Sequence, residues 1–150
     1  MKRSFAISII MLNMLLFSGC TGLKEGRTNI LNDLVTDDYP RVSMELSEVT
    51  SGGATCVLIN NSEMDLIYGE DYYIQDYRDG EWYYLDMADD ICVDLIGHIL
   101  LAGSERSIQH NWAIKYGKLD PGKYRVIKNF YEEHYPANTY YVSCEFDICE

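Results

Sequence analysis

The sequence predicts an all-β sandwich carried behind an export signal and a short tether. Three observations lead there. From Tyr39 onward, short apolar runs rich in β-branched and aromatic residues are separated by Gly, Asp, Asn and Pro, the pattern of strands and their turns. After the N-terminal stretch, no segment sustains a helical period of apolar residues. The dipeptide Asp79-Gly80 stands between two aromatic runs, "DYYIQDY" and "EWYYLDM", where it suits the two positive φ angles of a type I′ hairpin turn.

The chain begins with Lys2 and Arg3 followed by an apolar stretch from Phe5 to Phe17. That stretch is too short to cross a hydrocarbon core comfortably, which takes about 20 helical residues, and it reads as an export signal. Phe17-Ser18-Gly19-Cys20 resembles the lipobox of bacterial lipoproteins, in which the cysteine thiol receives a diacylglycerol and becomes the first residue. The expected organisation is a signal peptide over 1–19, a flexible tether over 20–38 and one domain over 39–150. The tether is polar, with a single apolar cluster at Ile30, Leu31, Leu34 and Val35. Two acyl chains, at about 0.8 kcal/mol per buried methylene, make a long-lived anchor where one is marginal.

About 130 residues remain after such a cut, enough to bury a core without a structural metal. The whole chain carries 12 Lys and Arg against 24 Asp and Glu. Losing Lys2 and Arg3 gives 10 − 24 = −14 for the mature chain. A body so acidic is repelled by nucleic acid and by anionic lipid headgroups, so the acyl group on Cys20 has to hold it at the membrane. Cys56, Cys92, Cys144 and Cys149 allow three complete pairings in an oxidising compartment. None has the spacing of a zinc site, and the sequence implies no cofactor.

The strands follow in order. In "RVSMELSEVT", Val42, Met44 and Leu46 alternate with Ser43, Glu45 and Ser47, as a half-buried strand requires. Ser51-Gly52-Gly53 turns the chain into "ATCVLIN", closing a hairpin. With Asp79-Gly80 at the tip of the next hairpin, Tyr77 opposes Trp82, Gln75 opposes Tyr84 and Ile74 opposes Leu85. One face then carries Tyr73, Tyr77, Trp82 and Tyr84, and the other Tyr72, Ile74, Tyr83, Leu85 and Met87. "HILLAGS" and "RSIQHNW" predict two more strands, with Ile108, His110 and Trp112 on one face. In "YGKLDPGKYRVIKNF" a tight turn is expected at Pro121-Gly122, with Tyr124 just inside the next strand. That placement matches the tyrosine corner of β-sandwiches, where the hydroxyl bonds backbone at the bend between sheets. In the last strand, "YYVSCEFDI", Cys144 shares the apolar face and is expected to be buried.

Seven or eight short strands so spaced fit an immunoglobulin-like antiparallel β-sandwich. The segments "VSMELSEVT", "VLINNSEMDLIYGEDYYIQ", "DGEWYYL", "LDPGKYRV" and "YYVSCEFDI" together resemble the bacterial immunoglobulin-like domain of exported and membrane-associated proteins in many Gram-positive bacteria. The resemblance spans roughly residues 41–148 and is most specific in "NNSEMDLIYGEDYYIQ" and "DGEWY". It implies a β-sandwich with a non-catalytic, often accessory role and brings no family active site. Cys56, Cys92 and Cys149 depart from the family pattern.

Site candidates are few. Asp86, Asp89, Asp90 and Asp94 form an acidic loop, but an EF-hand starting at Asp86 needs Gly where Ile91 stands and Glu where Gly97 stands. A solvated acidic loop is therefore expected, with no metal. His98, His110 and His134 fall on separate segments, and no HExxH, GxSxG or P-loop spacing occurs, so no catalytic residues are assigned. The outward aromatics Tyr73, Tyr77, Trp82 and Tyr84 suit either a protein hot spot or sugar stacking beside Gln75, Asp76 and Asp79. The expected function is a lipid-anchored, extracytoplasmic interaction module on the outer membrane face. The alternative is a carbohydrate or cell-wall ligand-binding surface lipoprotein. Pro121, Gly122, Tyr124 and Cys144 are expected to serve structure.

Overall fold

The computed structural model describes residues 39, 41–88, 96–132 and 138–149. The expected signal, tether and lipidated Cys20 lie outside the described residues, as do Asp89, Asp90, Cys92, Asp94 and His134. The described chain forms β1 (Val42–Thr50), β2 (Gly53–Asn60), β3 (Leu66–Tyr68), β4 (Tyr73–Arg78), β5 (Glu81–Tyr84), β6 (His98–Leu100), β7 (Ser104–His110), α1 (Trp112–Tyr116), β8 (Gly122–Glu132) and β9 (Thr139–Ile148). Nine strands stand among the described residues where seven or eight were expected, because the three-residue β3 carries too little pattern to be counted from sequence, whereas β6 falls within the expected "HILLAGS" strand.

Two antiparallel sheets pack face to face. One has the order β1-β2-β7. In the other, β8 pairs with β9 along one edge and with β3 and β4 in succession along the opposite edge, while β6 extends β3 and β5 extends β4. Alternation decides which side chains meet between the sheets. Met44, Cys56, Leu58, Leu66, Tyr68, Ile74, Val126, Phe130, Val142 and Phe146 are all buried there.

Two turns explain the hairpins. Asp79 and Gly80 both have positive φ, 52° and 89°, and pair Arg78 with Glu81, Tyr77 with Trp82 and Gln75 with Tyr84. Gly53 serves close approach instead: a Cβ there would collide with the carbonyl oxygen of His110.

Three expectations are corrected. Trp112 is not on a strand beside Ile108 and His110. The β2–β7 ladder ends at Ala54 and His110, because the partner chain turns away at Gly53, so the next residues coil into α1. Trp112 is thereby fully buried, its indole N–H donating to Ser51 O at 2.9 Å and its ring stacked on Phe146 at 5.0 Å. At Pro121 the chain makes an open bend, and Gly122 already begins β8. What Gly122 supplies is room, since a Cβ would lie 3.3 Å from the Tyr124 ring. Cys144 keeps core-facing parity but is only half-buried, as befits β9 at the edge of its sheet.

Candidate interaction face

The outer surface of the larger sheet is built by residues that alternate with the core. On β8, Tyr124, Val126, Lys128 and Phe130 point inward, so Lys123, Arg125, Ile127 and Asn129 point out. Cross-strand pairing then fixes the rows: Ser143, Ile127 and Tyr73 in one, and Glu145, Arg125, Gln75 and Tyr84 in the next. Tyr77 and Trp82 form the outermost pair. All four aromatics predicted to share a face do share it, on the outside of the sandwich.

These rings lie against one another and against cations. Tyr73 and Tyr84 meet edge to face at 5.9 Å, and Tyr77 and Trp82 are 5.0 Å apart. The Arg125 guanidinium sits 4.6 Å from the Trp82 ring centre. Lys123 Nζ lies 5.3 Å from that of Tyr77 and 5.6 Å from that of Trp82, held by Glu145 at 2.7 Å. Below them Arg125 Nε donates to Gln75 Oε1, and both Gln75 and Ile127 are essentially inaccessible although they belong to the outer face. The aromatic layer therefore shields a second, shallow core. Burial pushes the Tyr84 hydroxyl up to about 12 and also raises that of Tyr73. Tyr77 remains 42 % exposed, while Tyr73, Trp82 and Tyr84 are half-buried. Lys123, Arg125 and Ile127 were missed as members of this face: their odd positions beside Tyr124 mark them as outward, but only the pairing of β8 with β4 sets them beside the aromatics.

The other singled-out residues fall elsewhere. Tyr124 is 7 % exposed and donates its hydroxyl to Asp120 O at 2.9 Å, with its ring 5.7 Å from Phe146. Asp86 is exposed, and among the described residues no three His, Cys, Asp or Glu side chains gather as a metal site would need. His98 pairs with Glu70 at the surface and stacks on Tyr68. An open cleft of about 390 Å³ lies instead on the smaller sheet, lined by Glu48, Thr50, Thr55, Gln109 and neighbouring backbone. His110 is buried against Tyr72, ring centres 4.1 Å apart, and its Nε2 has no hydrogen-bond partner. Desolvation, with Lys128 and Lys115 nearby, pulls its pKa down to about 3, so it is a neutral core residue. Cys56 and Cys149 are free thiols, and burial pushes that of Cys56 up to about 12.

Two facing antiparallel sheets with a tyrosine hydroxyl closing the bend before β8 define an immunoglobulin-like β-sandwich. The family model for the bacterial Ig-like domain matches residues 38–147, and the chain belongs to that family. Domains of this family are generally non-enzymatic, and membership suggests an interaction module in broad terms. No curated protein matches it. Among the described residues no helix is long and apolar enough to cross a membrane.

Proposed function

We propose that this chain is a lipid-anchored, extracytoplasmic interaction module that docks a protein partner through the outer face of its larger sheet. The observation that carries this reading is the aromatic layer of Tyr73, Tyr77, Trp82 and Tyr84, supported from below by Gln75 and Ile127. Flat rings already ordered by packing lose little entropy on binding, which is why such residues dominate hot spots. The glycan alternative draws less support. Arg125 and Lys123 already lie over the Trp82 ring, and Gln75 and Asp76 are engaged by Arg125 and Arg78, so the flat ring and free acceptors a sugar needs are partly taken.

Anchoring and docking are tested separately. Cys20→Ala is expected to leave the chain unprocessed and to release it from the lipid-modified membrane fraction; unchanged processing and attachment would remove the lipid anchor from this reading. For docking, purified cell-wall polysaccharide and surface-protein extracts serve as paired probes. Retention by a protein component that is lost in Trp82→Ala supports the protein reading. Retention by polysaccharide lost in the same variant would transfer the face to glycan binding, and retention unaffected by the substitution would exclude this face altogether.

A further inference from the structure

The larger sheet contains a break with an unusual filler. Leu66, Ile67 and Tyr68 pair with Glu132, Tyr131 and Phe130, and pairing resumes at Tyr73 with Ile127. Four residues, Gly69 to Tyr72, therefore stand opposite only two, Lys128 and Asn129. The even parity survives the break, so Tyr68 and Tyr72 both stay in the core, but the 69–72 carbonyls lose the β8 ladder. Lys128, 1 % exposed, sends its amine inward to replace it, donating to Gly69 O and, at 2.6 Å, to Asp71 O. Buried carbonyls need such donors, yet a lysine is an expensive residue to bury.

We propose that Lys128 is a protonation-sensitive latch: its buried amine closes the break between β3 and β4 and thereby fixes the β4–β5 hairpin that carries the aromatic face. This is independent of what docks on that face. The groups facing the amine come from every neighbouring element. Tyr68 of β3 presents its ring at 5.5 Å. Glu70 and Asp71 come from the break, Cys56 from β2 and Lys115 from α1, and His110 comes from β7. The amine donates to two neutral carbonyls, so desolvation outweighs the pull of Glu70 and the lysine pKa falls to about 8.

The sign follows from linkage. When the 69–72 segment opens, the amine reaches water and regains its ordinary value of 10.5, so the open chain binds more protons than the closed one between about pH 8 and 10.5. Below pH 8 the closed latch carries the full cost of a buried charge. As pH rises the cost is relieved, while the neutral amine keeps two N–H donors for its two carbonyls. The latch tightens with alkalinity and is sprung toward opening at neutral pH. Cys56, whose thiol moves from 9.0 to about 12 on burial, acts oppositely above pH 9, which makes pH 7 to 9 the clean window.

The test uses the full-length chain in non-ionic detergent, with ¹³Cε-labelled lysine followed by NMR and unfolding by urea at pH 7, 8 and 9. One lysine signal is expected to titrate near pH 8 and to be missing in Lys128→Met. Between pH 8 and 9 the folded-to-unfolded ratio of the wild type should rise by up to about tenfold relative to Lys128→Met, since one pH unit is a factor of ten. Lys128→Arg, which keeps its charge throughout, should show no such rise. Amide exchange at residues 69–73, corrected for its intrinsic pH dependence, should slow in the wild type over the same interval. If every lysine titrates together near 10.5, or the wild type and Lys128→Arg respond to pH in parallel, the latch is wrong. That comparison holds even where Lys128→Met fails to fold.

Discussion

The outer faces of the two sheets obey the same alternation and come out opposite in character. On the smaller sheet the outward positions are Ser43, Glu45, Ser47, Glu105, Ser107 and Gln109, all exposed, with Thr55, Val57 and Ile59 half-covered between them. Thr55 accepts from Gln109 and donates to Glu48, both at 2.7 Å, so this surface satisfies itself with hydroxyls, amides and carboxylates that water also solvates well. On the larger sheet the outward positions include Tyr73, Tyr77, Trp82 and Tyr84, and Ile127 and Gln75 beside them are essentially inaccessible. Strand parity alone thus does not make a solvent face. The difference lies in side chains wide enough to build a second apolar layer, which the smaller sheet lacks and an interaction surface requires.

Four perturbations break or sharpen this contrast, in order of expected size. Tyr124→Ala removes the corner at the start of β8 and should cost about 3–5 kcal/mol, as aromatic truncations in cores do; Tyr124→Phe, which strands the Asp120 carbonyl, should cost about 1–3 kcal/mol. Urea unfolding measures both, and a wild-type midpoint for Tyr124→Ala would make Tyr124 a surface residue. Next, Ile127→Ala should cost about 2–5 kcal/mol despite its outward position, whereas Val57→Ala, half-buried on the smaller sheet, should fall at or below the typical single-mutation cost of about 1 kcal/mol. Equal costs would erase the distinction between the two faces.

Third comes acid. The pKa of His110 is lowered from 6.5 to about 3 on folding, so the unfolded chain binds the extra proton and stability falls as pH drops through that interval. The slope from this one group is up to about 1.4 kcal/mol per pH unit, and it should be what remains in the difference between wild type and His110→Phe, which lacks the titrating group, measured by unfolding at pH 4, 5 and 6. Smallest, Glu45→Lys and Glu105→Lys on the smaller sheet should each change stability by no more than about 0.5 kcal/mol and leave partner binding intact.

The parts of this fold that were legible in the sequence are those with several repeats of a local rule. Val42, Met44 and Leu46 announce a strand by alternation, and Asp79-Gly80 dictates a hairpin register that puts Tyr77 opposite Trp82. The break after Tyr68 was not legible, because three residues hold no period and what fills it is a tertiary contact from Lys128. A lysine in "RVIKNF" reads as a solvent-facing residue until the opposing carbonyls are in place. Trp112 was misplaced for a related reason: its strand ends where the partner strand turns, which the sequence around Trp112 does not record. The aromatic half of the candidate face was visible from the hairpin alone, while Arg125, Lys123 and Ile127 joined it only once β8 was paired beside β4.

The central claim, that the aromatic face rather than the polar one is the docking surface, is tested most directly by site-specific photo-crosslinking on intact cells. A photoreactive side chain placed at position 77 on the larger sheet, or at position 107 on the smaller one, reports what touches each face. A discrete protein adduct is expected from position 77 only, and it should vanish when Trp82→Ala is combined with that probe. Adducts from position 107, with none from position 77, would contradict the account.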